Sequence, residues 1–173
     1  MPLSFEVPDE YPSVMLALIA YSALCYATTI LIVKPARGKT FSKEVMATVG
    51  AEHTKAFPDQ SIPAGGFPDM GSGRYMAKLG YKEWFDFNNA QRAHQNMVEQ
   101  LPYVITFLMG GGLVAPMVTC YIAWFSVLMR IAYIIGYAYK GPDARVFGAV
   151  SGLLPMYGIG LYSAFVLIRQ AVS

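Results

Sequence analysis

Residues Phe87 to Pro102 read "FNNAQRAHQNMVEQLP", and Tyr103 to Ala115 continue as "YVITFLMGGGLVA". The first stretch holds an arginine, a histidine, a glutamate and several amides. The second holds no charge at all. Charged groups inside a span are costly and face a protein interior or a watery cavity. A helix that is polar in its first half and apolar in its second therefore belongs at the mouth of a membrane bundle, and reading this stretch decides the fold.

Composition agrees. Of 173 residues, 55% are hydrophobic and only 14% are charged, where a soluble domain averages about 25% charged. Mean hydropathy is +0.39. The net charge of +2 lacks the basic excess of a nucleic-acid binder. Cys25 and Cys120 lie in apolar runs without CxxC or other metal spacing, so both read as buried, inert thiols.

Working outward, Val14 to Val33 is an uncharged run long enough to cross a bilayer core. Its leader, "MPLSFEVPDEYPS", has no Lys or Arg and three acids, which makes a poor signal peptide. Met117 to Tyr139 is a second apolar run, broken only by Arg130, and Val146 to Ile168 is a third. With Asp86 to Ala115 this predicts an all-α integral membrane fold, a bundle of four transmembrane helices, because lipid cannot satisfy an open backbone. In the last helix Ala144, Gly148 and Gly152 recur at a spacing of four, which favours close helix packing, and Pro155 is expected to kink it.

Lys34 to Phe85 separates the first two spans. It contains "FPDQSIPAGGFPDMGSGRY", rich in Pro and Gly, and reads as turns and loop within a single domain over 1–173. A structureless segment of this length is unusual in a compact unit, so it is either disordered or docked, and docking on its own trimer or on another subunit is the expectation. Its "GSG" lacks the strand and Lys-Ser/Thr context of a phosphate cradle. Most Lys and Arg fall here and in "YKGPDAR", Tyr139 to Arg145. The positive-inside rule puts both basic loops on the cytosolic or matrix-like side and both termini opposite.

Two polar stripes stand out. Arg92, Asn96 and Glu99 share a helical face at i, i+4, i+7, and Arg130, Tyr133 and Tyr137 share one at i, i+3, i+7. Together they suggest a polar cleft suited to a small zwitterion carrying carboxylates and an amine. The alternative is an interhelical staple of Arg92 with Glu99 and an interfacial belt of tyrosines. His53 and His94 are the only histidines, too few for a conventional metal site, although His94 as a haem ligand is conceivable. Neither a Ser-His-Asp nor a Cys-His arrangement stands out, so any thiol chemistry needs a sulfur brought by a ligand.

"FNNAQRAHQNMVEQLP", with "RIAYIIGYAYKGPDAR" downstream (Arg130 to Arg145) and "KPARGK" (Lys34 to Lys39), resembles the MAPEG family of membrane glutathione transferases, and within it the type 3 microsomal enzymes. The resemblance covers Phe87 to about Phe165 and the first span. It implies a four-helix subunit, a homotrimer, and glutathione as cosubstrate held between subunits on the cytosolic side. The implied activity is conjugation to lipophilic electrophiles, reduction of lipid hydroperoxides (a glutathione peroxidase), or both. Arg37, Arg92, His94, Asn96, Glu99, Tyr133 and Tyr137 are the implied glutathione-binding residues, and no metal is implied. Arg145 is the implied thiolate-activating residue; a register shifted by one puts Ala144 there instead. The loop is longer than in typical members, and Gln100 stands where some relatives carry an aromatic residue. The expected location is the endoplasmic reticulum membrane, with a mitochondrial or other organelle membrane as the alternative. Two rivals are a non-enzymatic subunit of a larger membrane complex, which uses the loop for docking, and a lipid-presenting scaffold of the same fold.

Overall fold

A computed structural model describes residues 6–172. Among these the regular structure is helical: α1 (Tyr11–Thr28), α2 (Lys34–Thr40), α3 (Lys43–Val49), α4 (Ala51–Ala56), α5 (Tyr81–Val114), α6 (Pro116–Lys140) and α7 (Val146–Val172), with short 3-10 turns between some of them. A π-helical turn, Thr29–Val33, joins α1 to α2, so the first span continues as helix to Thr40. Among the described residues four helices are long and apolar enough to cross a membrane: Tyr11–Thr40, Tyr81–Val114, Pro116–Lys140 and Pro142–Val172. This is the all-α, four-span architecture expected from the apolar runs.

By packing, the chain divides into two compact units. The first comprises the N-terminal residues up to Tyr26 and everything from Asn96 onward. Its core joins Val14, Ala17, Leu18 and Tyr21 of α1 to Val104 and Leu108 of α5, Ala123 of α6 and Met156 of α7. Glycines set the helix spacing. A Cβ on Gly148 would stand 2.5 Å from the Tyr133 amide nitrogen and 2.6 Å from the Met129 carbonyl, so α6 and α7 touch backbone to backbone. Ser126 Oγ reinforces the contact by donating to the Gly152 carbonyl at 2.8 Å. The small-residue spacing in α7 is thus a packing device. α7 runs as one helix through Pro155.

The second unit is Ala27–Gln95. Lys34 to Phe85, read from sequence as turns and loop, is instead largely structured. It carries α2, α3, α4, two 3-10 turns and the start of α5. Phe41, Met46, Val49, Met76 and Phe87 form its core. Ser42 caps α3, its Oγ accepting from the Val45 amide at 3.3 Å. The Pro/Gly-rich part is folded by Asp69, buried at 5% exposure. Its Oδ1 accepts from the amides of Gly71 (2.8 Å) and Gly73 (2.9 Å), and its Oδ2 from that of Met76 (2.7 Å). Burial pushes this carboxyl up, but the backbone donors outweigh it and hold the group below the usual carboxylate range. A single carboxylate thus organises a turn the sequence leaves without periodicity.

Candidate functional site

α6 supplies the centre. Its i, i+3, i+7 spacing places Arg130, Tyr133 and Tyr137 along one face, and all three are buried. Asn96, buried on α5, donates from Nδ2 to the Tyr133 hydroxyl at 2.8 Å. The Tyr133 and Tyr137 rings pack edge to face, with centroids 5.8 Å apart. The chain then stops α6 at Gly141, whose φ of 91° lies in the left-handed region that favours glycine. A 3-10 turn, Pro142–Arg145, follows. Gly136 lets this turn lie close, because a Cβ there would stand 2.5 Å from the Ala144 carbonyl oxygen. The turn therefore swings Arg145 back over α6, with its guanidinium carbon 5.0 Å from the Tyr137 ring centroid. Ala144 spends its backbone on this close approach, and Arg145 brings the cation to the tyrosines.

Arg130 stands against Tyr133. It is 2% exposed. Its Nη2 donates to Gln100 Oε1 at 2.6 Å, and its guanidinium carbon stands 4.7 Å from the Tyr133 ring centroid and 5.3 Å from that of Tyr21. The buried Tyr21 hydroxyl faces this guanidinium. Sequence reasoning singled out Arg130 as a break in an apolar run but not Gln100 or Tyr21 as its neighbours. A tyrosine in the middle of an otherwise apolar span was the available signal.

The remaining candidates fall as follows. Glu99 is exposed, as is Arg92, while His94 is half-buried, all on α5; both Arg92 and Glu99 have interaction partners. Arg37 has a different setting, within the second unit. It is 6% exposed. Its Nη1 donates to the Gly65 carbonyl at 3.1 Å and its Nη2 faces the Met70 sulfur at 3.6 Å. Phe67, Phe87 and Phe41 surround its guanidinium carbon with ring centroids at 4.1, 4.9 and 5.7 Å. Those contacts fasten α2 to the Pro/Gly-rich part of the insert and to Phe87 of α5. Cys25 and Cys120 are free thiols; Cys25 is buried, and Cys120 lies 3.1 Å from Ser13 Oγ. Among the described residues, no group of three or more His, Cys, Asp or Glu comes together to hold a metal ion.

A buried amide-phenol pair, two tyrosine rings and two arginines thus occupy one side of an apolar bundle, where polar groups are normally excluded. The family model described as MAPEG family matches residues 11–165. That span includes the first three apolar helices, the folded insert and most of the fourth helix, a wider reach than the motifs alone, and the chain belongs to the MAPEG family.

Proposed function

We propose that this protein is a membrane glutathione transferase of the type 3 microsomal kind, working as a homotrimer. The MAPEG family includes glutathione transferases, and its members generally use glutathione. The observation that carries the reading is the Asn96–Tyr133 hydrogen bond beside Tyr137 and Arg145. These groups offer an amide, two phenols and a cation to a peptide-like ligand bearing a thiol.

In this reading Arg145 favours the thiolate of bound glutathione, and Asn96 and the two tyrosines position the tripeptide. Glu99 pairs with its amine, Arg92 offers a planar fork to a carboxylate, and His94 makes a further polar contact. The thiolate sulfur attacks an electrophilic carbon of a lipophilic substrate. A carbon–sulfur bond forms, the leaving group departs with its electron pair, and the thiol proton has already passed to water. With a hydroperoxide, two glutathiones are oxidised to the disulfide while the peroxide is reduced to an alcohol and water. The endoplasmic reticulum membrane is the proposed location.

Titration of glutathione into the purified protein, with conjugation and hydroperoxide reduction assayed in parallel, tests the reading. Saturable binding is expected. Arg92→Ala should weaken it by about 1 kcal/mol, the order of a solvent-screened pair between an exposed arginine and a carboxylate. Absence of binding and of both activities in a folded protein of native mass would overturn the reading. A second reading, a structural subunit of a larger membrane complex, draws on one observation: the insert folds around its own core. Full transferase activity after proteolytic removal of the insert would separate docking from catalysis.

A further inference from the structure

Tyr133 and Tyr137 lie between two cations. Arg130 stands 4.7 Å from the Tyr133 ring and Arg145 5.0 Å from the Tyr137 ring (guanidinium carbon to centroid), the two rings are 5.8 Å apart, and Arg145 also reaches the Tyr133 hydroxyl. Neither arginine forms an ion pair among the described residues. For Arg145, half-exposed at the bundle's edge, water can compensate. Arg130 is shut away, and its polar neighbours, Gln100 and the Tyr21 phenol, are both neutral. A buried guanidinium without a counter-charge is an expensive arrangement. It also projects a positive field over short range, because the apolar surroundings screen it weakly. The ring that stands against it belongs to the tyrosine whose hydroxyl Asn96 engages.

We infer that Arg130 is the standing charge of the site: without touching the ligand, it biases the tyrosine pocket toward ligands carrying an extra negative charge on sulfur. This rests on the glutathione reading. The bias favours the thiolate over the thiol, and an anionic sulfur substituent over a neutral one. Arg130 is therefore a positioning and specificity-determining residue, distinct from Arg145. Its partner Gln100 keeps it oriented and, being neutral, leaves its charge uncancelled.

The test uses the full-length protein in detergent and two probes, glutathione sulfonate and S-methylglutathione. They share the tripeptide and differ by one negative charge on sulfur. Wild type should prefer the sulfonate. Arg130→Gln should lower that preference about tenfold, the order expected for a partly buried unit charge acting across one ring. Because that variant can misfold, Gln100→Glu is the decisive one. It keeps an acceptor for Arg130 Nη2 and adds a carboxylate that cancels the charge in place. The inference requires it to lose the sulfonate preference about as fully as Arg130→Gln, with S-methylglutathione affinity changed less than about threefold and the melting temperature held or raised. A purely structural role for Arg130 predicts the opposite, a sturdier protein with the wild-type ratio, and that result would overturn the inference. If wild type binds neither probe, the glutathione reading itself fails and takes this one with it.

Discussion

The molecule buries two arginines with aromatic rings around them, one in each unit, and the company they keep differs. Arg37 sits among Phe41, Phe67 and Phe87 and donates to a backbone carbonyl. Arg130 sits between Tyr21 and Tyr133 and donates to a glutamine side chain. Phenylalanine offers a cation its ring face and nothing else, so the Arg37 cluster ends at its own edge. Tyrosine carries a hydroxyl beyond the ring, and that of Tyr133 extends the Arg130 cluster to Asn96. The same cation–aromatic attraction makes a rivet in one place and the base of a polar network in the other. Burial of an arginine thus says little about its purpose until the far side of each neighbouring ring is inspected.

The contrast can be broken most directly at the rivet. Arg37→Ala removes a hydrogen bond from a charged donor and several cation–ring contacts, a loss of about 3 kcal/mol in the stability of the insert. Limited proteolysis between Phe57 and Tyr75 should become rapid, and Arg37→Lys should restore only part of the protection, lacking the planar fork. An insert that resists protease as well as wild type would show that the phenylalanines hold it unaided.

Asp69→Asn comes next, at about 2 kcal/mol, because several backbone amides lose an ionised acceptor. The pH dependence follows from the direction of its shift. The folded carboxyl titrates below its unfolded value, held down by backbone donors against the opposing effect of burial. Its contribution is therefore complete above the ordinary aspartate value of about 3.9 and is lost as pH falls below it toward the folded value. Hydrogen exchange at the Gly71, Gly73 and Met76 amides should accelerate across that window in wild type and stay flat in the variant. Equal profiles would remove Asp69 as the organiser of the turn.

Tyr133→Phe sharpens the other side of the comparison, since it turns a tyrosine of the network into the residue type of the rivet. Losing one hydrogen bond inside a membrane bundle should cost about 1 kcal/mol or less. Glutathione affinity should fall further than so small a stability change implies. Unchanged affinity would mean that the network stops at Asn96. Smallest of all is Glu52→Gln. Glu52 pairs with Arg74 at 3.2 Å and Lys78 at 3.1 Å on an exposed surface, where such pairs contribute little. The thermal midpoint should not move, and a clear drop would show that the insert depends on surface charge as well as its rivet.

How much of this the sequence discloses varies with the distance over which the information is written. The spans are legible because each is a continuous apolar run of bilayer length. Asn96 and Tyr133 are legible because both belong to stripes at helical spacing, although nothing in the spacing says that they bond. The insert is much less so. Its helices of six and seven residues are too short to show a period, and its core gathers Phe41, Met76 and Phe87 from far apart in the chain. Arg37 reads from sequence, through the family resemblance, as a glutathione contact at the end of the first helix; only the folded insert shows the Gly65 carbonyl and the rings packed around it. Gln100 and Arg130 lie thirty positions apart, and neither residue names the other. Local order was readable, and the use to which single polar side chains are put was not.

α5 is 34 residues long and so rises about 51 Å, whereas the hydrocarbon layer of a bilayer is about 30 Å thick. Counted back from Val114, about 20 residues fill that layer, and the count runs out near Asn96. The helix thus carries its amides and charges to the depth at which water gives way to oil. A water-soluble tripeptide cannot enter the oil, and an oily electrophile scarcely enters water. A site at that depth lets each reactant stay in its own solvent until they touch. On the proposed function, much of the barrier this protein removes is one of solubility, and its helix acts as a phase-transfer agent with a fixed address.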